Sequence, residues 1–333
     1  MPEPAEHDDF RPTASWENLR LRAGLLRQVR DFFDRRGFLE VETPILSADT
    51  VVDRHLDPFC TEIPRGGGPP RRLWLQTSPE FAMKRLMAAG LAASQCQAIY
   101  QVARVFRLGE QGPLHNPEFT MVEWYRAGDG PMAGMQLTDD LCEAILQRGP
   151  AERLTYADAF LRYVGLDPHT APTVALVEAV RQSSLVPPES LSRDDRDGWL
   201  DLLLVDRIQP HLGRQRPVLL YDYPASQAAL ARIRPGQPPV AERFELYVSG
   251  IELANGYHEL LDPDELLQRN ARANAQRQAD GKEALPEQSR LIAAMRAGLP
   301  PAVGVALGFD RLVMLAAGAK TLAEVTAFPL GRA

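Results

Sequence analysis

The chain of 333 residues is 45% hydrophobic and can bury the core of one large domain or two ordinary ones. Its 44 acidic residues outnumber 37 basic ones, and the formal charge of −7 excludes a general nucleic-acid coat. Cys60, Cys96 and Cys142 are too scattered for a C-x-x-C pair and odd in number for a disulfide framework, the N-terminus is acidic where a signal peptide is basic, and no apolar run is long enough to span a membrane, so the expected address is the cytoplasm.

Residues 1–15 read as a tail. Over 17–36, Leu25, Leu26, Val29, Phe32 and Phe33 recur at three- to four-residue spacing and predict an amphipathic helix. Arg35 and Arg36 suit its C-terminal dipole, and Gly37 can take the left-handed conformation that ends it. In 38–44, Leu39 and Val41 alternate with Glu40 and Glu42 as a strand that Pro44 stops. A second strand is expected over 73–77, after which Ser78 and Pro79 open a helix as N-cap and first residue. Residues 98–106 and 118–126 form an antiparallel hairpin around a long polar loop, a length that points to function. From about 128 to 217 the pattern is mainly helical and reads as an insertion. Strands return over 218–221 and 244–248, and Ser249-Gly250 turns the chain into 252–260. A helix follows over 264–278, and a last strand, 303–307, runs through Gly308 into a helix over 310–317. Hairpin-paired strands set apart from helical runs predict an α+β fold on an antiparallel sheet flanked by helices.

Three features carry chemistry. Arg107 ends a strand with a planar fork suited to phosphate, and Phe119 on the next strand offers a face for a base. Gly308 permits close backbone approach just before Asp310-Arg311, where a helix N-terminus attracts anions. Glu252 and Glu259 are seven residues apart, which puts them on opposite faces of a regular strand unless Asn255-Gly256 forms a bulge that resets the phase. Such a pair suits magnesium bound with ATP, which takes one or two carboxylates together with phosphate oxygens and water.

Together these stretches resemble the class II aminoacyl-tRNA synthetases. Arg36-Gly-Phe-Leu-Glu-Val-Glu-Thr-Pro44 is similar to motif 1, the Arg107 hairpin to motif 2 and Gly308-Phe-Asp-Arg311 to motif 3, in the family's order and spacing. Thr77-Ser-Pro-Glu80, His115-Asn-Pro-Glu-Phe-Thr120 and the stretch from Phe244 to Glu259 narrow the resemblance to the lysyl branch. With only a short tail before motif 1, no anticodon-binding domain is expected, and residues 16–333 read as one catalytic domain. The resemblance is therefore to the stand-alone lysyl-tRNA-synthetase-like ligases that attach (R)-β-lysine to elongation factor P, supported by Tyr223-Pro-Ala-Ser-Gln-Ala-Ala-Leu230 and Gly304-Val-Ala-Leu-Gly308.

That resemblance implies an ATP and magnesium site. Arg107 and Arg311 would hold phosphates, Phe119 and Arg311 would sandwich the adenine, and Leu108, Gly109, Asn116, Leu253 and Gly308 would complete the ATP site. Glu110 would face the adenine amino group, although the family's glutamate falls where this chain has Gly109. Ser78, Pro79, Glu80, Tyr125 and Glu259 would line the amino-acid pocket, with Glu252 and Glu259 at the metal. Ala306 stands where lysyl-tRNA synthetases have glycine, and its methyl group is expected to favour (R)-β-lysine over α-lysine. A homodimer through motif 1 is implied as well. The alternatives are a truncated synthetase acting on tRNA, disfavoured by the net negative charge, and an inactive regulatory paralogue, disfavoured by Arg107, Glu252, Glu259 and Arg311. The basic group Arg65, Arg71 and Arg72 reads as a solvated loop that could also meet an acidic partner.

Overall fold

The computed structural model describes residues 10–92, 97–182, 185–188 and 191–333, so residues 1–9 of the expected tail and Cys96 lie outside it. The Ser15 hydroxyl caps the first helix, α1 (Trp16–Asp34), by accepting from the Asn18 N–H at 3.1 Å. Leu25, Val29, Phe32 and Phe33 of the expected stripe are buried. Gly37 takes φ 74°, as the helix stop requires. Arg35 is the C-cap, and Arg36, just beyond, donates to the Phe32 carbonyl at 3.1 Å with its guanidinium over that ring.

Twelve strands are described: β1 (Leu39–Glu40), β2 (Leu46–Ser47), β3 (Cys60–Arg65), β4 (Gly68–Leu75), β5 (Ala98–Phe106), β6 (Glu118–Ala127), β7 (Glu152–Thr155), β8 (Val218–Pro224), β9 (Ile233–Arg234), β10 (Val240–Val248), β11 (Ile251–His258) and β12 (Ala302–Gly308). The main sheet runs β1-β5-β6-β12-β11-β10-β8-β7, with β9 on β10. It is antiparallel apart from the parallel pairs β1 with β5 and β7 with β8 at its two ends. β2, β4 and β3 make a separate small sheet. Two expectations change here: only Leu39–Glu40 of 38–44 pairs with β5, because the chain then leaves for the small sheet, and of the strand expected over 73–77 only residues 73–75 are strand, in that small sheet.

The other helices are α2 (Glu80–Ala92), α3 (Pro131–Leu146), α4 (Tyr156–Tyr163), α5 (Thr173–Arg181), α6 (Arg196–Leu203), α7 (Pro263–Ala279), α8 (Arg290–Gly298) and α9 (Phe309–Ala316). α1, α3 and α9 cover one face of the sheet, where Phe33 stacks on Tyr100 with ring centroids 4.6 Å apart. α2, α7 and α8 close another part of the sheet through Phe81, Met83, Met87, Leu266, Leu291 and Ile292, packed on Ile99 and Tyr125. In the mainly helical stretch, α4 to α6 form their own cluster on β8 around Tyr156, Phe160 and Trp199. Its first helix, α3, instead shares the core of α1 and α9, and β7 extends the main sheet. Among the described residues, no helix is long and apolar enough to cross a membrane.

Candidate active site

A cavity of about 1080 Å³ opens over the centre of the main sheet. One end is cationic. Arg107, just past β5, donates through Nε to the Thr77 carbonyl at 3.3 Å, pairs with Glu110 at 3.3 Å and lies 5.1 Å from the Phe119 ring centre. Gly109, with φ 84°, lets the loop turn between Arg107 and Glu110. From the first turn of α9, Arg311 donates to the carbonyls of Glu252 at 2.8 Å and Leu114 at 3.3 Å, and its NH2 lies 2.8 Å from His115 Nε2. Burial first, and then Arg311, lowers the His115 pKa and favours the neutral ring that can accept this bond. Asp310 lies just inside α9, after its N-cap Gly308. Its carboxylate takes Arg22 of α1 at 2.6 Å and the Thr120 N–H of β6 at 3.1 Å, which locks the start of α9 beneath Arg311.

The phase between the two glutamates is reset as expected, but elsewhere. Leu246 faces Ala254 and Tyr247 faces Glu252, so Leu253 is the extra residue of the bulge. Gly256 instead makes room for a ring, since a Cβ there would sit 2.3 Å from the Phe244 side chain. Both glutamates line the cavity, but they have different partners. Glu252, with its side chain 40% exposed to the cavity, lies 3.8 Å from Arg311. Its pKa is raised by desolvation first and then by Glu245, against Arg311, Arg243 and Arg107. Glu259 is ion-paired with Lys84 at the opposite end.

That end is acidic and closed. Glu80, Glu123 and Glu259 come from α2, β6 and the residue after β11, and all three are buried. Lys84 donates to Glu80 at 2.5 Å, while Ser78 and Tyr125 each donate to Glu123 at 2.6 Å. Burial pushes Glu123 up to about 7, with Glu80 adding and Ser78, Tyr125 and Lys84 opposing. Burial likewise pushes Glu259 up to about 8, with Lys84 opposing and Glu80 and Glu123 adding. On β12, Gly304 faces Tyr125 and Tyr257, and a Cβ there would lie 2.2 Å from both Glu259 Oε1 and the Tyr125 ring. Ala306 lies between Glu123 of β6 and Asn255 of β11.

Of the residues expected at the site, Ser78, Glu80, Arg107, Glu110, Asn116, Phe119, Tyr125, Glu252, Leu253, Glu259, Ala306, Gly308 and Arg311 line this cavity. Pro79 faces a neighbouring hollow, Leu108 bridges to Asp57 with its N–H 2.7 Å from that carbonyl, and Gly109 only shapes the loop. Lys84 and Glu123 were missed, although Lys84 follows Glu80 by one helical turn and Glu123 shares a strand face with Tyr125. At the mouth, Asp57 takes Arg277 and Lys282 at 2.9 Å each, tying the loop before β3 to the end of α7. Arg72 of the basic group is held by Glu283.

A phosphate-ready cationic end and an acidic pocket on one mostly antiparallel sheet define a class II synthetase core, and the chain belongs to that family: the model of the class II tRNA synthetases (D, K and N) matches residues 5–332. Within it, the chain is 49% identical over 325 residues to the elongation factor P–(R)-beta-lysine ligase of Vibrio vulnificus (strain YJ016), covering 96% of this chain and 98% of the relative. It is also 49% identical over 331 residues to the protein of the same name from Vibrio cholerae serotype O1, covering 98% and 99%.

Proposed function

We propose that the protein activates (R)-β-lysine as its adenylate, using ATP and magnesium, and transfers the acyl group to a lysine side chain of elongation factor P. The observation that carries this is the polarity of the cavity, with Arg107 and Arg311 at one end and Glu80, Glu123 and Glu259 at the other. The names of the two relatives supply the acceptor and the isomer. A substrate with ammonium groups in the acidic pocket presents its carboxylate toward the arginines. In-line attack on the α-phosphorus builds charge on the equatorial oxygens, which the fixed guanidinium groups stabilise as pyrophosphate leaves. Bound magnesium would neutralise phosphate charge, and Glu252 fits it as an oxygen donor facing the cavity beside both arginines. Glu259, occupied by Lys84, serves the substrate ammonium instead. Glu110, Asn116, Phe119, Leu253 and Gly308 complete the ATP side, and Ser78, Tyr125 and Ala306 the amino-acid side. A neutral lysine amine of the acceptor then attacks the acyl carbonyl and expels AMP.

The protein works as one catalytic domain over 16–333, in the cytoplasm where a translation factor acts, and as a homodimer through motif 1. Phe32 and Phe33 of the α1 stripe are spent on the chain's own core, so the dimer rests on exposed Leu39, Ile45 and Leu46 near β1 and β2. Sedimentation showing only monomer at micromolar concentration removes that assignment. For the reaction, enzyme, ATP, magnesium and (R)-β-lysine are offered purified elongation factor P and total tRNA in separate reactions. An intact-mass gain on the factor is expected, whereas label on tRNA alone overturns the function.

A further inference from the structure

The ligase scheme leaves a buried cation without a role. The side chain of Lys84 is 3% exposed, donates to Glu80 Oε1 at 2.5 Å and pairs with Glu259 Oε2. Burying an ammonium is costly, and an apolar side chain at this position would fill the space without that cost. The charge therefore calls for a reason beyond packing. Burial lowers the Lys84 pKa, but Glu259 and Glu80 outweigh it, so the side chain stays an ammonium. The titratable groups around it are Glu80 on its own helix, Glu123 and Tyr125 on β6, and Glu259 just after β11. With Glu80, Glu123 and Glu259 ionised, one ammonium against three carboxylates leaves a formal charge of −2. A diaminoacyl group, whose carboxylate charge disappears on adenylation, carries the opposite charge. The geometry also divides Glu259: Lys84 takes Oε2, while Oε1 lies against Gly304, whose missing Cβ leaves room for it.

We propose that Lys84 is a positioning residue for amino-acid binding, which fixes Glu80 and Glu259 toward the cavity and sets the charge of the pocket to match a substrate with two ammonium groups. This rests on the proposed ligase function. An acyl group with a single ammonium would leave a carboxylate uncompensated in a buried site, so the matching selects dibasic amino acids as a class. Without Lys84, Glu259 loses its nearest cation and holds its proton to higher pH, which withdraws the acceptor that a substrate ammonium needs.

The test is ATP–pyrophosphate exchange with varied (R)-β-lysine across neutral pH, on the wild type, Lys84→Met and Lys84→Arg, each with a thermal melt. In Lys84→Met the KM for (R)-β-lysine should rise about 10- to 100-fold, the range for a buried charged group that loses its partner. The pH at which KM improves should move up by roughly one unit or more, with the KM for ATP unchanged. Lys84→Arg keeps the charge in a larger planar head, so KM should rise while the pH profile stays in place. A folded Lys84→Met enzyme with unchanged or lower KM, or with reduced rate at unchanged KM and pH profile, overturns the proposal. If Lys84→Met does not fold, a Lys84→Arg enzyme with the wild-type KM overturns it. Wild-type enzyme that exchanges with neither isomer of lysine sinks the ligase function itself, a result distinct from any change confined to the variants.

Discussion

The two ends of the cavity hold charge in different ways. At the cationic end, Arg107 and Arg311 sit where a strand ends and a helix begins, and the carbonyls of Thr77, Leu114 and Glu252 fix their heads beside the Glu110 and Glu252 carboxylates. A guanidinium does not titrate in the working range, so these two cations persist at any ordinary pH. At the acidic end, three carboxylates from separate elements are driven together under burial, and Glu123 and Glu259 are raised toward neutrality. Local chain geometry thus places the two arginines, and distant carbonyls hold their heads. The acidic end is set by packing, and it answers to protons and to single methyl groups.

The largest effect expected is at the cationic end. Arg107→Ala or Arg311→Ala should lower the exchange rate by on the order of 10²–10³, as for loss of one transition-state donor, without lowering the melting temperature. Near-normal exchange in either variant would remove the motif assignment. At the acidic end, Gly304→Ala drives a methyl group into Glu259 and Tyr125, and overpacking of about 1–3 kcal/mol should appear as a 10- to 100-fold higher KM for the amino acid. Its KM for ATP should hold, and a parallel loss at both ends would show that the ends are not separable. Ala306 lies beside Glu123, so its methyl group should favour (R)-β-lysine, and Ala306→Gly should improve use of α-lysine by about 1–3 kcal/mol, read as kcat/KM for each isomer. Equal exchange with both isomers in the wild type refutes that.

The smallest effect is the pH dependence. Protonation of Glu259 and Glu123 as pH falls through about 8 and about 7 should raise the amino-acid KM. Stability runs the other way. Both carboxylates have folded pKa values above the ordinary 4.5, so the folded protein binds protons that the unfolded chain has released. The substrate-free protein should therefore lose stability as pH rises from the ordinary carboxylate range through about 8, with the amino acid restoring most at the upper end. Melts that stay flat over this interval would remove the burial account of these groups.

Sequence alone determined the parts whose cause is local. The α1 stripe, the Gly37 stop and the β5–β6 hairpin were legible because helix and strand periods and turn residues act within a few positions, and Arg107 and Phe119 flank the hairpin loop. Fold class and family followed from three such motifs in order. Packing decided the rest. An alternating strand shows that Glu123 and Tyr125 share a face, but not that this face lines a cavity beside Glu80 and Glu259. Helical spacing puts Lys84 one turn after Glu80, but not beside the glutamate after β11. The bulge at Leu253, the small sheet that captured 73–75 and the separate partners of Glu252 and Glu259 are likewise tertiary. Each depends on which distant strand lies alongside, and a strand's own residues specify its face and period but not its neighbour.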